Sequence, residues 1–325
     1  MKSFPRRSKI FALILTLLLA ALLPLSATSC GSDKPIIGIL QFGSHESLNN
    51  CYDGVLLGLE ESGLDLSQYE IKRLNCNFDM TTAQSQAKRL VNQGAEVIIA
   101  IATPAAVTAA TAAGGEVPVV FCAVTDGSVM QNFKNVTGSS DVPNFAKQLE
   151  VVTAFMNSTE LSVGVLYSTD ESSSPYQVSE LERAAATYGG TVKINARAVA
   201  DITTIDTQVN ALLDSGVDCL INLLDNTIVG KLESNILPLT NVQSIPVFGS
   251  EIEQVKVGCV ASASIEYVTV GRSAGCAAAS ILGGTPAANI PVATISDPTN
   301  CYNSEACRRL GLTVPADMTL VDVCE

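Results

Sequence analysis

Apolar and polar positions run along this chain in two rounds of one pattern. In the first round, the apolar run at 36–40 is followed by Gln41-Phe42-Gly43-Ser44-His45 and an amphipathic stretch to Gly63. A second strand is predicted at 69–74, an amphipathic helix at 82–93, a third strand at 96–102 ending in Thr103-Pro104, and a fourth at 117–123 ending in Val124-Thr125-Asp126. In the second round, a strand at 161–167 ends in the polar run 168–174, and 191–198 supplies the next strand. The run at 218–224 then ends in Asp225-Asn226-Thr227, and that at 245–248 in Gly249-Ser250-Glu251. Strand–helix alternation with continuous apolar strands implies an α/β protein whose parallel sheets are covered on both faces. Ligands of such sheets bind beyond the carboxyl ends of the strands. Two facing halves of this kind predict a cleft that closes on a small molecule.

The first lobe is expected to begin at residue 35 and reach about 125. Residues 132–141 read as a strand and turn crossing into a second lobe that occupies 126–250. Beyond it come a strand at 257–265, a helix at 268–282 ending at Gly283-Gly284, a strand at 290–295 and a short helix at 304–310 before Gly311.

The N-terminus changes the picture of where the protein works. Lys2, Arg6, Arg7 and Lys9 precede an apolar run at 10–23, and Pro24 leads to Ala27-Thr28-Ser29-Cys30. This is the plan of a signal peptide over residues 1–30, with residues 31–34 as a polar tether. A cysteine directly after small residues resembles the bacterial lipobox, which makes Cys30 the expected lipidation site; Ala27 stands where a lipobox prefers Leu. An ordinary cleaved signal or an uncleaved anchor are the alternatives, although fourteen apolar residues are short for a spanning helix. The expected location is extracytoplasmic, on the bacterial cell membrane. After residue 30 the chain carries 15 basic and 32 acidic residues, a net charge of −17. So acidic a surface argues against nucleic acid, whose phosphates need a basic footprint. Of ten cysteines, Cys122, Cys219, Cys259 and Cys276 lie in apolar runs and read as core thiols, Cys301 and Cys307 could bridge, and Cys51 and Cys76 read as exposed.

Candidate chemistry is sparse. His45 is the one histidine, no Cys pair has zinc spacing, and no phosphate-cradling glycine loop occurs, so neither metal nor cofactor is expected. Gly271-Arg272-Ser273-Ala274-Gly275 matches the nucleophile-elbow pattern, but no histidine follows to serve as its base. Small residues packing a helix are the reading kept for it.

The strand ends carry more. Thr103-Pro104 suits a capped helix start, and the same terminus can receive a carboxylate. Asp225, with Asn226 and Thr227, holds the equivalent address in the second round, either as a cap or as the acceptor for a ligand ammonium group. Together they describe a site for an α-amino acid. His45 can hydrogen-bond ligand or simply be solvated. Phe42 and Tyr176 can flank an apolar or aromatic side chain or belong to the core. Ser173 and Ser174 are hydroxyl donors or a flexible turn. Thr125 and Ser250 sit at the expected crossings, where hinge geometry explains them as well as ligand contact does.

These residues carry a resemblance. Ile-Gly-Ile-Leu-Gln41 with His45 and Leu48, Ala100-Ile-Ala-Thr103-Pro104, Val119-Val-Phe-Cys-Ala-Val-Thr125-Asp126, Asn135-Val-Thr-Gly138, Asp225-Asn226-Thr227 and Ile245-Pro-Val-Phe248 resemble the substrate-binding lipoproteins of ABC transporters that include the tryptophan/tyrosine-type binders. The resemblance spans nearly all of the chain after the signal. It implies the type I periplasmic-binding-protein fold, no catalysis, and delivery of a hydrophobic or aromatic amino acid by a monomer to an ABC permease. It implies that 251–285 returns to the first lobe and 286–325 to the second, through three crossings that form a hinge. By position it makes His45, Thr103, Thr125, Ser174 and Asp225 ligand contacts. The chain departs from the pattern at Glu171-Ser172-Ser173-Ser174 where relatives often show Glu-Ala-Asn-Ser, at Ala263-Ser264 where they carry Tyr-Gly, and at Glu251 where they carry Asp. A sensory ectodomain of the same architecture, and an exported enzyme, are the rival readings.

Overall fold

The computed structural model describes residues 34–295 and 297–321. The expected signal peptide, Cys30 and the tether up to Asp33 lie outside the described residues. Among the described residues no helix is long and apolar enough to cross a membrane.

Six parallel strands make the first sheet: β1 (Ile36–Gln41), β2 (Glu70–Asn75), β3 (Ala95–Ile101), β4 (Val119–Cys122), β5 (Val136–Ser140) and β11 (Ala293–Thr294), in the order β11-β5-β4-β3-β1-β2. All six residues of β1 and all four of β4 are buried, because helices cover both faces. The second sheet is also parallel: β6 (Glu160–Ser168), β7 (Thr191–Val199), β8 (Cys219–Ile221) and β9 (Val247–Phe248), in the order β7-β6-β8-β9. A smaller sheet of β10 (Ala261–Ser264), β12 (Thr299–Tyr302) and β13 (Thr319–Leu320) continues it through Val260 N–H to Val247 O at 2.7 Å and Gly249 N–H to Ala261 O at 3.0 Å. Each main sheet thus repeats one strand order, reversing between its first and third strands. The two reversal points, β1/β3 and β6/β8, are where crevices open beyond the strand ends.

The pairing corrects the expected lobe boundaries. β5 lies within the segment assigned to the second lobe but pairs with β4 from Val119↔Val136 to Phe121↔Gly138 in the first sheet. The outer edge of β4 is free to take it, and Gly138 lets the backbones meet: a Cβ there would sit 2.0 Å from the Phe121 carbonyl oxygen. β10, expected in the first lobe, stays with the second sheet, while β11, expected in the second, closes the edge of the first by pairing with β5. Connections between the sheets follow β5, β10 and β11, and an isolated bridge Glu251↔Ile265 ties the connection after β10 to the loop after β9.

The helix Tyr267–Leu282 does return to the first lobe, where it lies against the helix Glu46–Glu61. Gly54 and Gly58 on one helix face Gly271 and Gly275 on the other. A Cβ at any of the four would fall 2.0–2.2 Å from a carbonyl oxygen of the partner helix. Backbones approach this closely only where no side chain intervenes, so the nucleophile-elbow pattern is a packing seam. Ser273 Oγ donates to the Thr269 carbonyl within its own helix at 3.1 Å. Seam and sheet enclose one core, and two further apolar clusters cover the second sheet's faces.

All eight described cysteines are unpaired, including Cys301 and Cys307. Cys51 and Cys76, expected at the surface, are fully buried. Cys51 lies on the core side of the amphipathic Glu46–Glu61 helix, and Cys76 follows β2 with its amide donating to the Gln41 carbonyl at 2.9 Å.

Candidate functional site

The strand ends of both sheets meet around a small central cavity of about 20 Å³, room for roughly one water. Polar residues line it from both sides: His45, Ser47, Thr103, Thr125 and Asp141 from one, Ser173, Asn226, Glu251 and Gln254 from the other, with the Tyr267 ring between. Leu48, Ala123, Leu224 and Val229 complete it. The lining holds two carboxyl groups and neither Lys nor Arg.

Thr103 reaches this wall through backbone strain. Ala102, not Thr103, is the N-cap of the helix Thr103–Ala113, with φ 79° and ψ 152°, a region nearly reserved for glycine. No side chain caps that helix, and its first residue, Thr103, lines the cavity, which brings the positive end of the helix dipole beside it. Ala123, at the end of β4, also has positive φ (57°) and leads to Thr125. Across the cavity, the helix Ser173–Thr187 likewise lacks a side-chain cap, and Ser173 is buried at its first position.

Asp141 follows β5 and accepts from Thr125 Oγ1 at 3.1 Å and Tyr267 Oη at 2.8 Å. Burial pushes its carboxyl up to about 6, although both hydroxyls favour the charged form. Glu251 caps the helix Ile252–Lys256 by accepting from Glu253 N–H at 2.8 Å and Gln254 N–H at 3.1 Å. Burial pushes it up to about 7.

A second chain of contacts bridges the lobes. His45 Nε2 lies 2.9 Å from Asn226 Oδ1, and Asn226 Nδ2 donates to Glu171 Oε2 at 3.1 Å. Because that amide presents its oxygen to the imidazole, His45 carries its proton on Nε2 and leaves Nδ1 as an acceptor. Burial lowers the imidazole's affinity for a second proton. The ring stacks on Phe78 at 6.1 Å, and Phe78 meets Phe42 edge to face at 5.8 Å. Asn50 Nδ2 to Glu253 Oε1, at 2.9 Å, is another link to the Ile252–Lys256 helix.

The residues singled out from sequence divide into two groups. His45, Thr103, Thr125, Ser173 and Asn226 line the cavity, and Phe42 lines an adjoining groove. The others are drawn away from it. Gln41 is held within its own lobe, donating to Gly43 O at 2.7 Å and accepting from Arg73 at 2.7 Å. Ser250 Oγ donates to Asn222 O at 2.7 Å. Tyr176 is half-buried on the Ser173–Thr187 helix and outside the lining. Asp225 is fully buried and occupied: Oδ2 accepts from Ser168 N–H at 2.6 Å and Ser174 Oγ at 2.7 Å, and Oδ1 from Ile228 N–H at 3.0 Å. Asp225 and Ser174 therefore brace the second lobe's loops. Asp141, Gln254, Tyr267 and Glu171 escaped the sequence reading. Asp141 ends a strand and would have qualified had β5 been placed in the first sheet. Tyr267 supplies a cavity tyrosine four residues beyond Ala263, which stands where relatives carry theirs.

Residues 36–322 match the model of a family described as ABC transporter substrate binding protein. The chain belongs to that family. Its members are solute-binding proteins, not enzymes. A curated relative, the tyrosine-binding protein of Clostridioides difficile strain R20291, is 32% identical over 287 residues, covering 85% of this chain and 81% of the relative. A solved structure from Streptococcus pneumonia, in complex with L-Trp, is 30% identical and covers 87% of this chain and 96% of that one, with a TM-score of 0.81. The ligand-free, open structure of a substrate binding protein with adhesive properties from Clostridium difficile is 28% identical, covers 89% and 100%, and gives 0.68. At near-equal identity this family member superimposes better on the complexed relative, and the His45–Asn226 contact across the cavity agrees with a closed arrangement. More distant binding proteins share the type I periplasmic-binding-protein fold alone.

Proposed function

We propose that this protein is the extracytoplasmic receptor of an ABC importer, captures an aromatic amino acid between its lobes and hands it to a membrane permease. Lipid attachment through Cys30 would keep the receptor beside that permease. The observation that carries the reading is the bipolar wall: two helix N-termini without side-chain caps, at Thr103 and Ser173, share one cavity with Asp141 and Glu251. Such a wall suits a zwitterion, with the carboxylate at a helix terminus and the ammonium near carboxyl groups. The Phe42, Phe78 and His45 rings beside it suit an aromatic side chain. The tyrosine-binding and L-Trp-bound relatives point to the same ligand class.

Because the cavity is smaller than an amino acid, ligand enters an open state and closure follows from its better fit to the closed one. Thermal-shift screening of the purified protein against the twenty amino acids tests this directly. L-Trp or L-Tyr should raise Tm in a concentration-dependent way, by roughly 2.7 kcal/mol of stabilisation at a hundred times Kd. A stabilising sugar or nucleoside, with no response to any amino acid, would overturn the reading.

A further inference from the structure

The two buried side-chain atoms without a hydrogen-bond partner, among the described residues, both belong to the bridge between the lobes: His45 Nδ1 and Glu171 Oε1. Glu171 is 2% exposed, sits in the loop between β6 and the helix Ser173–Thr187, and lines a groove of about 580 Å³ that shares Asn226 with the central cavity. Leaving a buried carboxyl oxygen unpaired is costly. Asp225, the residue first read as the ammonium acceptor, is already bound on both oxygens. Glu171, by contrast, has one oxygen fixed by Asn226 and one unmet.

We infer that Glu171 receives the ligand's ammonium group, with Asn226, clamped by His45, setting the carboxylate's orientation. The inference rests on the amino-acid reading above and places the ammonium acceptor at Glu171 rather than at Asp141 or Glu251, whose oxygens already accept from Thr125 and Tyr267 and from the Glu253 and Gln254 N–H groups. The Asn226 amide bonds Oε2, and the Asn226 and Thr227 N–H groups also favour the charged carboxyl, while Oε1 has no hydrogen-bond partner and is kept for a donor that arrives with ligand. Phe42 and Phe78 line the same groove, which places an apolar wall next to the charge. Lys231 also lines it but forms no ion pair with Glu171.

A proton accompanies this event. Burial and the neighbouring Asp225 carboxylate push Glu171 well above the usual carboxylate range, against the Asn226 and Thr227 donors, and so favour its protonated form in the free protein. The groups facing it are Asp225 at the start of the Asn226–Val229 helix, His45 through Asn226, Asp79 and Lys231 across the groove, and Asp170 in its own loop. An arriving –NH₃⁺ favours the carboxylate, and the carboxyl proton leaves to solvent. Binding near neutral pH therefore releases protons, and affinity rises with pH through that range.

The test compares wild type with Glu171→Gln, titrated with L-Trp and L-Tyr and with their amine-free analogues, indole-3-propionate and 3-(4-hydroxyphenyl)propionate. Glu171→Gln should weaken the amino acids by about 10- to 100-fold, the scale of a charge-assisted hydrogen bond. It should leave the amine-free analogues within about threefold of wild type on the same scale, and abolish proton release measured in buffers of different ionisation enthalpy. An unchanged preference for the amine in Glu171→Gln overturns the inference while leaving the amino-acid reading intact. Should wild type bind no amino acid, the functional reading fails instead, and the ligand-free protein still decides the role of Glu171. Released from an unpaired charge at pH 9, Glu171→Gln should melt about 2–4 °C higher than wild type and differ less at pH 6. A lower Tm at both values would make Glu171 a brace of the fold and overturn the inference.

Discussion

The two sheets have the same strand order, yet their third strands end in opposite ways. β3 runs into Ala102, a strained residue with no capping side chain, so the helix Thr103–Ala113 brings an uncapped N-terminus to the cavity. β8 leads to Asp225, whose carboxylate caps the helix Asn226–Val229 and holds Ser168 and Ser174 as well. The same address is thus open in one lobe and saturated in the other. Equivalent positions in a repeated topology are equivalent in backbone placement, not in chemical availability. What a strand-end residue can do for a ligand depends on how many of its hydrogen bonds the fold has already taken.

That contrast can be broken most severely at Asp225. Asp225→Ala strands three donors in the interior and removes a cap, and should cost about 3 kcal/mol in urea unfolding. Loss of ligand binding with unchanged stability would return Asp225 to the ligand. The pH profile gives the next effect. Asp141, raised to about 6, and Glu251, raised to about 7, both favour their neutral form in the folded state. Their unfolded counterparts ionise near pH 4. Their contribution is then fully present below about pH 4 and is lost as pH rises through 6 to 7, on the order of 3 kcal/mol for each group. Asp141→Asn and Glu251→Gln should each flatten that fall in ligand-free protein; unaltered slopes would place the titration elsewhere.

Smaller effects sharpen the open side of the comparison. Ala102→Gly relieves the positive-φ strain and should stabilise by about 1 kcal/mol, read from a higher urea midpoint at constant m. Thr103→Ala, at a helix start where the hydroxyl caps nothing, should alter stability by less than about 0.5 kcal/mol while weakening ligand binding in calorimetry. A matched loss of stability would show that Thr103 serves the fold. Ser273→Ala should change neither quantity, since Ser273 Oγ bonds only within its own helix.

Much of this architecture could be read before any coordinates. The apolar runs of β1, β3, β6 and β8 and the polar residues after them follow from burial on both faces, and that alone pointed to His45, Thr103, Ser173 and Asn226. The lobe boundaries could not be read so. β5 and β10 carry strand-like patterns that suit either sheet, and only pairing with β4 or β9 decides between them. Misplacing β5 hid Asp141, whose role comes from standing at the end of a first-sheet strand. The Gly54/Gly58 and Gly271/Gly275 seam was visible only as small residues in a helix, since its meaning lies in a partner more than two hundred residues away.

By itself, then, the amino-acid pattern determined the element order, the covered parallel sheets and the polar strand ends, because periodicity and burial are local consequences of side-chain chemistry. The tertiary structure alone decided which strand joined which sheet, that Asp225 is spent on its own lobe, and that Glu171 keeps an unmet oxygen. Those outcomes depend on contacts between segments far apart in the chain, and on counting the donors that reach each acceptor.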